Sequence, residues 1–466
     1  MNYKLISVIL ISIMFYVMII PANNISDDYF EYSTISIKSC NYLESVQDFT
    51  QHKFLVNISS NCILSNSSFT MADRYHNMDF PITLHHSFER YITIKFEVYE
   101  ILGNEYFLCD LDEKNGTGST EIIYDTYTGH WTGDDYIGDK SGYGRFNGCD
   151  DESFYENQRD FEIIFSININ DPDDDKIPIW FEENIYGTDP YFDNSNDDFD
   201  EDLIPLYWEY KWGYDPFSYD EHMQIDPDAD GLMNYEEFLV SEWGSDPYRD
   251  DMFMELDQME LGPNGEGLFV PKGSLIMVYQ TYAKRNIVYH VDDGCMGGGE
   301  ILPFEPIVWM GEEKQYYRNH FLNNDNDNWR RGVFRYALFV NDHFPIRGME
   351  FPGEHSILLF FKPGLNSFVI STKAFNDPRN LTYACIILHE LGHTMGPCMG
   401  RPLGCDNQLM RFPLSFQNIL FSNYKSVMNY KYSNSLLDYS DGTHGFGDYD
   451  DWGKMDLAHF KPRGAQ

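Results

Sequence analysis

Positive charge is what this chain of 466 residues has least of: 32 Lys and Arg stand against 75 Asp and Glu, a formal net charge of −43. That balance argues against nucleic acid or an anionic membrane surface as a partner, since both are held by basic side chains. Long apolar runs are scarce as well. The longest covers residues 5–20, just short of the ~18 residues expected of a membrane span. It follows Lys4 and precedes Pro21-Ala22-Asn23, so residues 1–22 read as a secretory signal with a basic start, an apolar centre and a small-residue exit. An uncleaved N-terminal anchor is the alternative, and only then is a membrane a partner. Export is expected either way.

The eight cysteines, an even number, suit an oxidising compartment. Cys40 with Cys62, Cys109 with Cys149 and Cys398 with Cys405 are plausible local pairs, while Cys385 falls within an apolar helical run where burial suffices to explain it. Sequons at Asn24, Asn57, Asn66, Asn115 and Asn380 permit glycosylation.

The length calls for two to four domains. Residues 27–168 carry period-two alternation, as in Tyr91-Ile-Thr-Ile-Lys-Phe-Glu-Val-Tyr, broken by Gly, Asp and Asn turns. This predicts an all-β domain, a sandwich, whose role as propeptide, exosite or targeting module the residues leave open. Asp110, Asp112, Asp134 and Asp135 are turn residues or, alternatively, a calcium site at loop tips.

Half of the net charge sits in residues 171–250, where 25 acidic residues face three basic ones. Such density repels itself unless the segment is disordered or binds cations. The segment is a threefold repeat, which favours cations. Asp171, Asp173, Asp175 and Glu182 recur as Asp198, Asp200, Asp202 and Glu209, and again as Asp226, Asp228, Asp230 and Glu237. Carboxylates at loop positions one, three and five with Glu at twelve form the arrangement of an EF-hand calcium loop. In the third loop Leu232 offers position seven and Asn234 position nine. Gly231 occupies the sharp-turn position there; Lys176 and Leu203 stand in its place in the other two. The loops also share the exits Gly187-Thr-Asp-Pro, Gly213-Tyr-Asp-Pro and Gly244-Ser-Asp-Pro. The spacing resembles the tandem, thrombospondin type 3-like calcium repeats of secreted bacterial and archaeal proteins. That resemblance implies one to three structural Ca²⁺ ions in residues 169–248.

From residue 249 the chain changes character. Strands expected at residues 252–259, 286–291, 334–340 and 357–361 alternate with helices at 274–283 and 378–395, an α/β pattern. The second helix contains His389-Glu390-Leu-Gly-His393, followed by Gly396. Two histidines four apart share one helix face and can hold one Zn²⁺, with Glu390 a step around the helix as general base. Downstream lies Ser426-Val427-Met428-Asn429-Tyr430. Together the two motifs resemble the metzincin clan of zinc endopeptidases, over residues 249–466. The resemblance implies an α/β catalytic domain acting on polypeptides, Met428 as the methionine beneath the metal, and Tyr430 as a zinc or transition-state ligand.

A third histidine is missing. The clan's third ligand stands three residues after the glycine, where this chain has Met399, and a thioether is too soft for a catalytic Zn²⁺. No histidine occurs between Gly396 and Met428, and the one carboxylate there is Asp406. Asp406 is therefore the first choice, with precedent in snapalysin-like members. His444, beyond Met428, is the competitor. The incomplete ligand set also admits a second function: a calcium-dependent surface or adhesion protein whose protease-like domain is inactive.

Overall fold

The computed structural model describes residues 31–43, 52–60, 63–71, 75–86, 89–112, 118–135, 143–148, 159–168, 171–344, 348–350, 366–374, 379–397 and 402–461. The signal segment, the strand expected at 357–361, and Cys62, Cys149 and Cys398 lie outside these residues, and with them the three expected disulfides. Among the described residues no helix is long and apolar enough to cross a membrane.

Residues 31–168 form two antiparallel sheets around one apolar core. The first has the order β4 (Tyr75–His86), β1 (Glu31–Tyr42), β10 (Phe161–Ile167), β9 (Tyr143–Asn147). The second runs β3 (Ile63–Met71), β2 (His52–Ser60), β5 (Tyr91–Leu102), β7 (Thr120–Asp125), β8 (Trp131–Gly133), with β6 (Glu105–Leu108) also on β5. The alternation of β5 sends Ile92, Ile94, Phe96 and Val98 inward, and its pairing with β2 sets Val56 opposite Val98 and Ile58 opposite Phe96. Asp135 accepts hydrogen bonds from Trp131 Nε1 and the Arg145 amide, and Asp110 from the Asp112 amide, so these carboxylates work as local turn and strand anchors.

The acidic segment is a string of three loops, each followed by a helical turn: Ile179–Phe181 running on into Glu182–Tyr186, then α1 (Leu206–Trp212), then α2 (Asn234–Leu239). No helix enters any loop among the described residues, so each unit is a loop with its exit turn. Gly187, Gly213 and Gly244 close the three units at φ of 74°, 77° and 91°, the left-handed cap open to glycine without strain.

The C-terminal region holds a sheet of order β12 (Val288–Asp292), β11 (Asp251–Met259), β13 (Phe334–Val340), β15 (Ser367–Ser371), β14 (Gly348–Glu350). All pairings on this path are parallel except that of the edge strand β14. β13 and β15 are buried along their whole length, as parallel strands covered on both faces must be. The acidic residues of β11 are buried but paired: Asp251 with His290 at 2.7 Å, Glu255 with Arg330 at 2.7 Å, and Asp257 with the Tyr336 hydroxyl at 2.8 Å. Helices α3 (Lys272–Ala283) and α4 (Asn380–Thr394) share the core on one face of the sheet. The β-domain docks on α3, where Tyr279 donates to Glu162 at 2.7 Å and Asn147 to the Ala283 carbonyl at 3.0 Å.

Candidate metal centre

Every residue of α4 from Thr382 to Thr394 is buried, so the helix that carries the histidines runs through the core. Its end is set by Gly396 at φ 122°, a conformation that an L side chain would strain. His389 Nδ1 lies 2.8 Å from the Val427 carbonyl oxygen, and His393 Nδ1 lies 2.7 Å from that of Pro397. A carbonyl only accepts, so both rings carry their proton on Nδ1 and keep Nε2 as the lone-pair atom. The two Nε2 atoms face one carboxylate: Asp406 Oδ1 stands 3.0 Å from His389 Nε2, and Oδ2 stands 3.1 Å from His393 Nε2.

Three electron-rich groups thus converge in a buried place, and Asp406 Oδ1 has no hydrogen-bond partner. Lone pairs aimed at a carboxylate repel it, and a divalent cation between them removes the conflict. Two imidazoles and one carboxylate form a donor set that suits Zn²⁺ and leaves a fourth position for water or substrate. Burial alone would push the Asp406 carboxyl up; without an ion, protonated imidazoles donating from Nε2 would hold it well below the usual carboxylate range, and a cation takes the place of those protons.

The turn at residues 426–430 braces this arrangement from below. Val427 orients His389 through its carbonyl, and the Met428 carbonyl accepts from the Asp406 amide at 3.1 Å, holding Asp406 at φ 49°. Met428 is fully buried, and a Cβ on Gly392 would come within 2.5 Å of its sulfur. Ser426 and Asn429 tie the turn to itself and to the Tyr424 carbonyl. The Tyr430 ring stacks on His389 at 5.7 Å and lies under the Arg411 guanidinium. Burial and the Asp406 and Glu390 carboxylates push its phenol well above the ordinary value, so Tyr430 keeps its proton as a donor. Glu390 is buried beside the two histidines. His444 is elsewhere, grouped with Asp441 and Asp448 and 3.0 Å from Asp448 Oδ2.

No protein-family model matches this chain, and no curated protein does. Several solved structures match over part of this chain. Two complexes of human GIVD cytosolic phospholipase A2, one with methyl γ-linolenyl fluorophosphonate and one with terbium chloride as well, are 9% and 8% identical, each with 30% of this chain covering 17% of theirs at a TM-score of 0.18. A structure titled "CC2D1B coordinates ESRCT-III activity during the mitotic reformation of the nuclear envelope" is 11% identical, with 35% of this chain covering 61% of that one, again at 0.18.

The acidic loops present a second kind of candidate cation site. In all three, positions four and six are left-handed: Asp174 and Lys176, Glu201 and Leu203, Ala229 and Gly231. The first aspartate gathers the loop's amides, as Asp171 does from Asp174 and Lys176 and Asp226 from Ala229 and Gly231. Several of the other carboxylate oxygens are turned inward without partners. They include both oxygens of Asp173, Glu209 and Glu237, and one each of Asp175, Glu182, Asp200 and Asp228. Burial first, then the neighbouring aspartates, push Asp175 and Asp200 up to about 6, Glu182 to about 7, Glu209 to about 9 and Asp228 to about 10. Bare oxygens at this density fit a hard cation of the Ca²⁺ type. Asn234 Nδ2 lies 2.9 Å from His222 Nδ1, and its Oδ1 is buried without a partner.

Sequence reasoning missed several members of the site. The Val427 and Pro397 carbonyls carry no side-chain signature. Arg411 and His222 are single polar residues outside any motif.

Proposed function

We propose that this chain is a secreted, calcium-stabilised zinc metalloendopeptidase. The observation that carries the reading is the convergence of His389 Nε2, His393 Nε2 and Asp406 above the Ser426–Tyr430 turn, with Glu390 on the same helix. His389, His393 and Asp406 would hold the ion, which when bound makes water a nucleophile at neutral pH and polarises a carbonyl. Glu390 takes the proton of the attacking water and passes it to the leaving amine. Tyr430, kept protonated, donates to the oxyanion. Among the described residues β14 is the edge of the sheet and packs on α4, a place that suits an extended polypeptide added as a further strand. Secretion rests on the composition of residues 1–22 and on the calcium loops, which an extracellular ion supply keeps filled.

Glu390→Gln tests the reading. Zinc per chain after gel filtration is expected to stay at one, while cleavage of a fluorescent peptide library falls by about 10²–10⁴-fold. Undiminished cleavage would remove Glu390 from the reaction. An unaltered chain that holds zinc and cuts nothing would favour the calcium-dependent surface protein.

A further inference from the structure

We propose that the second acidic loop holds its ion through a nitrogen as well as oxygens: His222 Nε2, Asp202 and Glu209 form a buried site for a divalent transition ion such as Zn²⁺, for which Mn²⁺ is a spectroscopic stand-in. The inference rests on reading the loops as cation sites. His222 comes from the turn between the second and third loops and occupies no loop position of its own. Its side chain and that of Asp202 are 0% exposed, and donor atoms of His222, Asp202 and Glu209 all lie within 4.8 Å of one another.

His222 Nε2 is 3.1 Å from Asp202 Oδ2, yet Nε2 and both Glu209 oxygens are buried without a hydrogen-bond partner. An imidazole nitrogen beside a carboxylate oxygen without a hydrogen bond between them is the relation of two ligands to a shared ion. His389 and Asp406 Oδ1 stand in the same relation at 3.0 Å. Trp208 and Tyr214 hold the His222 ring edge-on, with centroids at 5.8 and 4.8 Å. The Asn234 amide against Nδ1 completes the orientation. As placed, Asn234 Nδ2 donates to Nδ1 at 2.9 Å; with an ion on Nε2 the ring proton moves to Nδ1 and the amide turns over to accept it. Ca²⁺ takes oxygen ligands, whereas an imidazole moves the preference toward transition ions. The first loop gathers carboxylates alone.

The test uses the full chain with its His389–His393 site preloaded with Zn²⁺, Mn²⁺ as probe, and pulsed EPR as readout. Bound Mn²⁺ is expected to show ¹⁴N coupling from an imidazole. His222→Gln should abolish that coupling and weaken one Mn²⁺ site about tenfold or more, leaving the other Mn²⁺ equivalents unchanged. Coupling that persists in His222→Gln overturns the proposal. So does Mn²⁺ held by oxygen alone in the unaltered chain, a result that needs no variant to fold and leaves the loops as oxygen sites. Failure of both Mn²⁺ and Ca²⁺ to bind overturns the loop reading along with it.

Discussion

Asp406 and Gly392 are two positions on which the proposed zinc site turns. Asp406→Ala removes the carboxylate that faces both Nε2 atoms, so zinc per chain is expected to fall from one toward zero, while His444→Ala retains it. Metal analysis of the two gel-filtered variants checks this, and zinc loss in His444→Ala alone would reverse the assignment. Gly392 has no room for a methyl group: its Cβ would sit 2.5 Å from Met428 Sδ and 2.9 Å from Tyr439 Cε1, both buried. Gly392→Ala is expected to destabilise the fold by about 1–3 kcal/mol, read as a lower midpoint in urea, and to weaken zinc binding as the Val427 carbonyl shifts. His389, Glu390 and His393 were legible because helical periodicity alone puts them together. Asp406 was reachable by elimination. The carbonyls that orient the rings were not, because a backbone group looks the same at every residue.

Among the elements, the acidic loops combine a legible repeat with an illegible conformation. Spacing named the carboxylates, but Lys176 and Leu203 at the glycine position left the turn in doubt. The backbone there is nevertheless left-handed, at φ 78° and 83° beside 99° for Gly231, so two loops hold a strained residue where the third has glycine. Leu203 is 55% exposed, so its side chain contributes little packing. Leu203→Gly is expected to raise the stability of the calcium-loaded protein by up to about 1 kcal/mol, measured by thermal melting. Gly231→Ala should do the opposite: at φ 99° its Cβ would also meet Ala458 Cα at 2.7 Å. An unchanged melting temperature in Gly231→Ala would show that this contact gives way without cost.

Across the molecule, that contact links the proposed calcium loops to the proposed zinc site. The third loop packs on the segment at residues 455–458, whose Asp456 amide donates to the Met395 carbonyl at the end of α4. Arg335 ties Thr394 at 3.0 Å and the Leu457 carbonyl at 2.7 Å, and Asp228, Met395 and Leu457 line one cavity of about 370 Å³. Emptying the loops therefore loosens the end of the zinc helix, and chelation specific for Ca²⁺ is expected to lower both melting temperature and peptidase activity. The pH dependence has a definite sign. Glu182, Glu209 and Asp228 are pushed to about 7, 9 and 10 in the cation-free fold, from ordinary values near 4 in the unfolded chain. The folded state then binds more protons than the unfolded one, so this contribution to stability is complete below about pH 4 and is lost as pH rises through 7 to 10. Calcium-free protein should melt lower at pH 9 than at pH 5, and millimolar Ca²⁺ should remove most of that difference. Equal slopes with and without Ca²⁺ would detach these carboxyls from the ion.

Residue types at short spacing carried the candidate metal sites: two histidines one helical turn apart, and aspartates two apart in a loop, meet whatever the rest of the chain does. Long-range placement did not travel in the sequence. That Asp406 rather than His444 closes on the histidines, that His222 reaches into the second loop, and that the third loop leans on the strap behind α4 follow from how the buried α4 helix, the Met428 turn and the loops pack. Packing is set by many weak contacts between residues far apart in the chain, and none of them leaves a mark at a single position.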